Sequence, residues 1–435
     1  MTASRPKILV ATFGSLGDLH PFVALAHALA AQGFAPVIAT SAAYADYIRG
    51  EGLDFAAVRP DADDLTTRLG MDMAEIARRM STDDAFLFQT LIFPHLRETY
   101  DDLLAASEGA VAIVGHSLAF AGRLVAEKRQ LPLFTVLLSP LMLYSAYDPP
   151  MGSNAPLLTP PKGGLAVAYN KTTLWLLAQA MGLWAKPLRR LRREVGLPRR
   201  SGLDLLLGAK SSTATIGLFS PTLAPPQPDH APGLLIAGHT FHDRFLDGAA
   251  LPPELEAFLA QGAPPVVFTL GSFVARAGLE TYRACLDVAG RLGRRAVVLA
   301  HEEIAPQLRA EAHATAHVAA YAPHSAIFPR ACAIVHHGGI GTTGQALRAG
   351  RPQIVLPHLG DQYDNGARLQ RLGVAQVIKG AQMTRDNLAR DLAAILDDAD
   401  CARHAERLGQ QLAQEDGART AAAHIAKLIE QEKRA

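Results

Sequence analysis

The fold class is decided by Ile334-Val-His-His-Gly-Gly-Ile-Gly-Thr-Thr-Gly-Gln-Ala-Leu347, in which a short apolar strand meets two histidines and a run of glycines. The glycines predict a tight turn, and Thr342 predicts the start of a helix. Unpaired N–H groups and a partial positive charge at a helix N-terminus suit a diphosphate. The turn has neither the Gly-Lys-Ser/Thr ending of a P-loop nor the GxGxxG spacing. A purely structural turn is the alternative reading of the stretch taken alone.

Two further polar segments follow predicted strands on either side of this turn. Asp361 and Gln362 come after an apolar run, and a carboxylate beside an amide suits hydroxyl recognition; a helix cap is the alternative. Tyr321 follows another short strand and could offer its ring to a base, although a core position is the ordinary use of such a ring. Because ligands of open α/β sheets sit outside the carboxyl ends of the strands, we expect these segments to share one edge.

The rest of the chain repeats strand, helix and parallel strand in two halves. Apolar runs predict buried strands at residues 8–12, 36–40, 111–114 and 133–138 in the first half and 266–270, 296–300, 333–336 and 353–356 in the second. Five prolines at 221–238 predict a semi-rigid linker. The expected organisation is a first α/β domain at 1–220, a linker at 221–244, a second α/β domain at 245–415 and a terminal helix at 416–435.

Composition excludes several classes of protein. The 435 residues are 49% hydrophobic, which is enough for sizeable cores and excludes a mostly disordered chain. Lys plus Arg number 42 and Asp plus Glu 41, so no basic excess suggests a nucleic-acid partner. The three cysteines are far apart and form no metal-binding cluster, which favours a reducing, cytoplasmic location.

The motifs together resemble a known family. Tyr321-Ala-Pro-His, His337-Gly-Gly-Ile-Gly-Thr and Pro357-xxx-Asp361-Gln362 with Asn365 resemble the donor signature of nucleotide-sugar-dependent glycosyltransferases of the GT-B fold, family 1, with its sterol and antibiotic branches. Within the family, the likeness is nearest to the rhamnosyltransferase chain of bacterial rhamnolipid synthesis. The resemblance implies two Rossmann-like, doubly wound α/β domains that face each other across a cleft.

The resemblance also implies roles for the donor-side residues. Tyr321 would stack on the base, with Ala322 and His324 nearby. A histidine of the turn, His337 or its neighbour His336, would hold the diphosphate. Asp361 and Gln362 would bind sugar hydroxyls. Gln345 stands where many members carry a ribose-binding Glu, so UDP and dTDP both remain open. The other donor-side candidates are Ser272, Gly338, Gly339, Gly341, Thr342 and Thr343.

On the acceptor side, the turn after the first strand supplies the catalytic candidates. Asp18 is the candidate general base that takes the acceptor proton, and His20 is the reserve. A helix cap is the alternative role for Asp18. The reaction would be an inverting single displacement without a metal or a cofactor, apart from the nucleotide-sugar co-substrate. The remaining acceptor-side candidates are Gly14, Ser15, Gly17, His116, Ser117, Ser139 and Tyr144.

The expected reaction moves a hexose of the rhamnose or glucose type from a dTDP- or UDP-sugar to a lipophilic hydroxyl, such as that of a hydroxy-fatty-acid lipid. A sterol, polyketide or other small aglycone is the alternative acceptor. Gly115-His-Ser117-Leu-Ala119 nearly matches G-x-S-x-G, so a serine hydrolase using Ser117 is the alternative of another class.

Two uncharged runs bear on the acceptor and on membranes. Residues 131–147 and 172–185 are too short or too interrupted by proline to span a bilayer, and they could instead form an apolar acceptor tunnel. The second run precedes Lys186 and a group of arginines. It is either a core-covering helix before a solvated basic one, or a segment that rests on an anionic membrane surface. Peripheral contact with the inner membrane face is therefore an open expectation.

Overall fold

Two parallel β-sheets organise the chain, each in a unit of its own. A computed structural model of the protein describes residues 5–152, 157–207, 212–242, 251–271 and 278–434. The first unit comprises Met1–Thr240 and Asp416–Ala435, and the second comprises Phe241–Glu415.

In the described part of the first unit, seven parallel strands lie in the order β3-β2-β1-β4-β5-β6-β7. The strands are β1 Lys7–Ala11, β2 Ala35–Thr40, β3 Asp54–Ala57, β4 Ala110–His116, β5 Leu133–Leu137, β6 Ala214–Gly217 and β7 Leu234–Ile236. The order reverses between β1 and β4, where doubly wound sheets bind ligands.

Helices cover both faces of this sheet because the central strands are apolar on both sides. The helix Leu16–Ala31 buries a stripe at helical spacing that includes Leu19, Phe22, Leu25 and Leu29. The other α-helices of the unit are Ala45–Gly50, Ala62–Leu69, Met73–Thr82, Asp84–Phe86, Leu96–Ala106, Phe120–Arg129, Gly164–Trp184, Lys186–Glu194, Gly202–Leu207 and Gly417–Glu432.

In the described part of the second unit, six parallel strands lie in the order β10-β9-β8-β11-β12-β13. They are β8 Val266–Thr269, β9 Ala296–Leu299, β10 Ala316–Ala319, β11 Ala333–His336, β12 Gln353–Val355 and β13 Ala375–Val377. The α-helices are Pro253–Ala260, Leu279–Arg291, Ala305–Glu311, His324–Ile327, Ile340–Arg348, Gln362–Arg371, Arg385–Asp397 and Ala399–Leu412. The order reverses between β8 and β11.

The last helix returns to the first unit. Gly417–Glu432 packs Ala421, Ile425 and Ile429 into the same core cluster as the helix Leu16–Ala31. The Gly417 N–H donates to the His239 carbonyl at 2.9 Å. A Cβ at Gly417 would overlap the Gly238 carbonyl, so only glycine allows this approach.

The Pro-rich segment differs from the expected linker. Residues 221–244 include the edge strand β7, which pairs with β6, and the boundary between the units falls at Thr240. The five prolines all precede β7 and lie in the loop that joins β6 to β7.

Candidate functional site

The glycine-rich turn of the second unit lies where the strand order reverses. β11 ends at His336, and the helix Ile340–Arg348 begins after Gly339. Gly338 has φ +89°, and a Cβ there would press on Val355 at 2.8 Å and on the Gln362 carbonyl at 3.0 Å. The backbone therefore turns sharply against the neighbouring loop at a position that requires glycine.

The two histidines of the turn have different environments. His336 is fully buried: its Nε2 hydrogen-bonds Gln353 Oε1 at 2.9 Å, and its Nδ1 accepts the Gly338 N–H at 3.1 Å. Burial lowers the pKa of His336 to about 4, so the ring is neutral and fixes the turn. Of the two candidates for the diphosphate, His336 is therefore engaged within the protein.

His337 lies between two glycines and is partly exposed. A Cβ at Gly271 or at Gly339 would overlap the imidazole, so both positions leave room for this ring. Nδ1 of His337 is buried and has no hydrogen-bond partner among the described residues. Burial, together with the neighbouring His336, His358 and His324, holds the pKa of His337 well below its usual value. The ring is thus a neutral donor and acceptor at the mouth of the turn.

The start of the helix Ile340–Arg348 presents the other donors of the turn. Gly341 is exposed, whereas Thr342 and Thr343 are buried and Gln345 is partly buried. The Thr343 N–H donates to the Gly339 carbonyl at 2.8 Å and closes the first turn. The N–H groups that precede it have no carbonyl to meet within the helix, and such free N–H groups are the donors that anion sites at helix N-termini use.

A third loop of the same edge is tied to the turn through Asn365. The Nδ2 of Asn365 donates to the Gly338 carbonyl at 2.9 Å and to Asp361 Oδ2 at 3.0 Å. Asn365 is fully buried, so the tie is shielded from water. The side-chain carbonyl of Gln362 accepts the N–H groups of His358 at 2.8 Å and Leu359 at 3.2 Å. Asp361 and Gln362 are thus held beside the glycine turn.

Asn365 has a role that the sequence prediction missed. It was recognised as part of a motif but was assigned no contact. The signal available in the sequence was its position four residues after Asp361, which places both side chains on one helix face. The bond to Gly338 joins residues 27 positions apart, and no local pattern announces it.

The Tyr321 segment follows β10 at the same edge of the sheet. The Tyr321 side chain is 70% exposed, and Ala322 is buried. His324 stacks on Phe328 with ring centroids 4.3 Å apart, so its ring is fixed by the short helix that it begins. Ser272, the remaining donor candidate, lies outside the described residues.

In the first unit, Asp18 caps the helix that carries it. Its Oδ2 accepts the Ser15 N–H at 2.8 Å and the Ser15 hydroxyl at 3.2 Å. Gly14 has φ +119°, and a Cβ there would overlap the carboxylate. The Tyr44 hydroxyl donates to the Gly14 carbonyl at 3.2 Å, and Gly17 is exposed beside the turn. Burial raises the pKa of Asp18, although the bonds from Ser15 lower it.

His20 and His116 are fixed in different ways. His20 lies on the same helix with its ring 5.7 Å from the Tyr47 ring. His116 ends β4, is buried, and has its ring 5.8 Å from Phe22 of that helix. Its Nδ1 accepts the Leu118 N–H at 3.1 Å, and burial lowers its pKa to about 4. The ends of β1 and β4 thus bring Asp18 and a neutral histidine to one edge.

Ser117 is held mainly by its backbone. Its N–H donates to the Val136 carbonyl at 3.0 Å, and its own carbonyl accepts Arg123 at 2.7 Å. The residue is buried and does not have the positive φ that marks strain. The geometry expected of a serine nucleophile on a strained turn is therefore not present at Ser117.

The segment after β5 carries the last two acceptor-side candidates. Ser139 caps a short helical turn by accepting the Leu141 N–H at 3.4 Å. Tyr144 adopts φ +47°, and its hydroxyl lies 3.9 Å from Met181 Sδ. Asp229 holds the following residues by accepting the Ser145 hydroxyl at 2.6 Å. These hydrogen bonds therefore fix the loop after β5 within the first unit.

The two uncharged runs lie partly in the core and partly at the surface of the first unit. Residues 133–137 are a buried core strand. The run 172–185 lies mostly in the helix Gly164–Trp184, where Trp175, Leu176 and Leu183 are exposed. No helix in the described residues has the length and apolar character needed to cross a membrane.

Comparison with known proteins gives the family. Residues 8–147 match the glycosyltransferase family 28 N-terminal domain, and residues 283–431 match the erythromycin biosynthesis protein CIII-like C-terminal domain. The O-mycaminosyltylonolide 6-deoxyallosyltransferase of Streptomyces fradiae is 30% identical over 95% of this chain and 96% of its own. The vancomycin aglycone glucosyltransferase of Amycolatopsis orientalis is 30% identical over 98% of both chains.

Other similar proteins extend the comparison to sterol enzymes and to solved structures. The sterol 3-beta-glucosyltransferase of Emericella nidulans is 29% identical over 95% of this chain, which spans 29% of that longer protein. The glycotransferase of kitacinnamycin superposes with a TM-score of 0.72 at 20% identity, covering 98% of this chain and 99% of that chain. The glycosyltransferase VinC, solved with dTDP, superposes with 0.67 at 18% identity, covering 98% and 100%.

Both halves of the chain therefore match parts of one enzyme type, and the match extends over nearly all of two relatives. The two parallel sheets have the strand order of Rossmann-like domains. The chain belongs to the GT-B glycosyltransferases that combine a family 28 N-terminal domain with an erythromycin CIII-like C-terminal domain.

Proposed function

We propose that this glycosyltransferase moves a sugar, with inversion, from a dTDP- or UDP-sugar to a hydroxyl of a small lipophilic aglycone. The observation that carries the proposal is the turn at His337, which Asn365 ties to the Asp361 loop. The turn combines a helix N-terminus with a neutral imidazole, and the loop adds a carboxylate and an amide. Such a set suits a diphosphate joined to a sugar.

The diphosphate is proposed to bind at the start of the helix Ile340–Arg348. Backbone N–H groups at Gly341 and Thr342 and a ring N–H of His337 would donate to its oxygens. As the bond between the sugar and the diphosphate breaks, negative charge grows on these oxygens. The preset donors then stabilise the leaving group without reorganisation, so no metal ion is needed in this scheme.

Asp361 and Gln362 are proposed to bind the sugar. The Asp361 carboxylate would accept hydrogen bonds from sugar hydroxyls, and the amide NH₂ of Gln362 would donate, since the Gln362 side-chain carbonyl already accepts the His358 N–H. Tyr321 would stack on the base, and Gln345 would hydrogen-bond the ribose. An amide there binds a hydroxyl less strongly than a carboxylate does, so both UDP and dTDP donors are included.

Asp18 is proposed as the general base. The acceptor oxygen attacks the anomeric carbon, its proton passes to the Asp18 carboxylate, and the nucleoside diphosphate leaves with the bonding electrons. Asp18 can cap its helix and act as base, because Ser15 occupies one carboxylate oxygen, Oδ2. Burial raises its pKa toward the range in which a carboxylate accepts protons well.

The acceptor proposal follows the relatives. Their names specify O-mycaminosyltylonolide, a sterol and the vancomycin aglycone, none of which is a hydroxy-fatty-acid lipid. This supports the small-aglycone alternative over the hydroxy-fatty-acid lipid. The donor panel described below tests whether the sugar is of the rhamnose or the glucose type. A serine hydrolase is not proposed, since the family assignment and the geometry at Ser117 both speak against it.

The experiment is a panel of dTDP-rhamnose, dTDP-glucose and UDP-glucose, read by nucleotide release. Each donor is paired with pooled macrolide aglycones, pooled sterols or a hydroxy-fatty-acid lipid, with and without a metal chelator. The proposal expects acceptor-dependent release with an aglycone or sterol pool, unaffected by the chelator. Release only with the hydroxy-fatty-acid lipid would overturn the proposed acceptor class. No release with any pair would overturn the proposed combination of donors and acceptors.

A further inference from the structure

The helix Gly164–Trp184 turns an apolar face to solvent. Leu165 is 91% exposed, Trp175 59% and Leu183 64%, and Tyr169 and Leu176 are also more than half exposed. Leu165, Tyr169, Leu176 and Leu183 recur at intervals of four and seven, so they share one face of the helix. Large contiguous apolar surfaces on a folded protein mark a contact with another phase or partner.

The opposite face of this helix is fixed to the first unit. The Asn170 side chain is fully buried and donates to the carbonyls of Ala146 at 3.1 Å and Thr159 at 2.9 Å. The Trp184 ring lies 5.6 Å from the Phe88 ring in the core. The exposed side chains are therefore presented by a helix whose other side is anchored.

Positive charge is concentrated around the same helix. Residues 157–203 contain nine Lys or Arg and one acid, whereas the whole chain has a net charge of +1. The helix itself contains Lys171 and no acid, and Lys162 precedes it. In the next helix, Lys186, Arg190 and Arg193 are exposed and lie four and three residues apart, on one face.

We propose that these residues form a docking surface for an anionic lipid bilayer, here called the apolar–basic surface. It consists of Leu165, Tyr169, Trp175, Leu176 and Leu183 with Lys186, Arg190 and Arg193. The apolar side chains enter the headgroup boundary while the helix lies in the plane of the membrane. The cations contact the anionic headgroups. The proposal goes beyond glycosyl transfer and does not depend on it.

Charge favours lipid over a second copy of the chain. A symmetric dimer through this surface would bring two strongly basic segments together. An anionic bilayer offers both an apolar interior and negative headgroups, which together match the two parts of the surface. Binding to the bilayer stands by itself; its inferred role, which rests on the proposed function, is to hold the enzyme where lipophilic acceptors dissolve.

The test is cosedimentation of the full chain with vesicles of phosphatidylcholine alone or mixed equally with phosphatidylglycerol. Binding is expected to the mixed vesicles and to weaken with salt. Replacing Lys186, Arg190 and Arg193 by Gln is expected to lower partitioning roughly a hundredfold. Replacing the exposed Arg407, Lys427 and Lys433 by Gln removes the same charge elsewhere and is the matched control.

The apolar half is tested separately. The chain has two tryptophans, so Trp184→Phe leaves Trp175 as the reporter on the surface. Its emission is expected to shift to the blue on mixed vesicles, and Leu165, Leu176 and Leu183→Gln is expected to abolish the shift. Equal binding by all variants, or no binding to mixed vesicles, would overturn the proposal. A dimer in sedimentation that these variants dissociate would also overturn it, in favour of self-association.

Discussion

Asp18 joins two functions in one carboxylate, because its cap bonds and its proposed proton acceptance use the same side chain. Asp18→Asn keeps an oxygen that can accept from Ser15, so the helix start should persist. We expect kcat to fall by roughly 10²–10⁴-fold, the usual contribution of a general base. Calorimetric affinity for dTDP or UDP should be unchanged, since those ligands are assigned to the second unit.

The pH dependence of kcat provides a control for the proposed role of Asp18 as general base. Activity requires the deprotonated carboxylate, and burial raises the pKa of Asp18 above that of an ordinary aspartate. The acid limb of kcat should therefore lie at higher pH than for an ordinary aspartate and should vanish in Asp18→Asn. If His20→Gln abolishes turnover while Asp18→Asn does not, His20 is the base.

The two adjacent histidines should separate in mutagenesis. His337→Ala removes a neutral donor from the diphosphate, which should weaken nucleotide binding by about 1–2 kcal/mol. His336→Ala instead leaves Gln353 and the Gly338 N–H without their buried partner, so it should lower the melting temperature first. Titration calorimetry and thermal melting distinguish the two, and an unchanged affinity in His337→Ala would contradict its assignment.

At the scale of elements, the donor site depends on one tie between two loops. Asn365→Ala removes both bonds of the side chain to Gly338 and Asp361. We expect a higher KM for the donor together with a loss of about 1–3 kcal/mol in the free energy of unfolding.

Asn387→Ala is the matched control for Asn365. Asn387 also donates to a backbone carbonyl, that of Gln382 at 2.8 Å, but it lies in the first turn of the helix Arg385–Asp397. Its replacement should leave the donor KM unchanged in steady-state kinetics. If the two variants raise the donor KM equally, the tie is not what positions Asp361.

The elements also show how far the sequence carries a prediction. Continuous apolar runs located β1, β2, β4, β5, β8, β9, β11 and β12, and the 333–336 prediction coincides with β11. The edge strand β3 was not predicted because it begins with Asp54, has only three apolar residues, and buries none of its four residues fully. β6, β7 and β13 were not predicted either; they are short and lie at or next to an edge of their sheets, so pairing with a neighbour identifies them.

For the site, local patterns identified positions but not contacts. The glycine turn, Asp361 and Gln362 were found because strand ends in this fold share an edge. What distinguishes His336 from His337 is a bond to Gln353, which lies 17 residues away. The anchoring of Ser145 by Asp229, 84 residues away, is likewise set by the tertiary fold alone.

At the scale of the molecule, the first core includes the end of the chain. Ile425→Ala truncates a fully buried side chain in the cluster shared with the helix Leu16–Ala31. We expect a loss of about 2–5 kcal/mol in the unfolding free energy of the first unit. Nucleotide affinity should persist, because the donor residues belong to another core.

Calorimetry with and without dTDP would check the assignment of Ile425. Ligand stabilises only the transition of the unit that binds it. Ile425→Ala should lower the midpoint temperature of the unfolding transition that dTDP does not raise. A drop confined to the dTDP-sensitive transition would contradict the assignment of the last helix to the first unit.

The return of the last helix has a consequence for synthesis. Because the His239 carbonyl meets the Gly417 N–H, the whole of Phe241–Glu415 is an insertion whose two ends adjoin on its host. During synthesis, the second sheet can form while the first unit still lacks the helix Gly417–Glu432, which completes one side of its core. The first unit therefore begins to emerge from the ribosome before the second unit but is completed after it. The same topology makes the donor half a cassette that could be exchanged between relatives at two neighbouring joints.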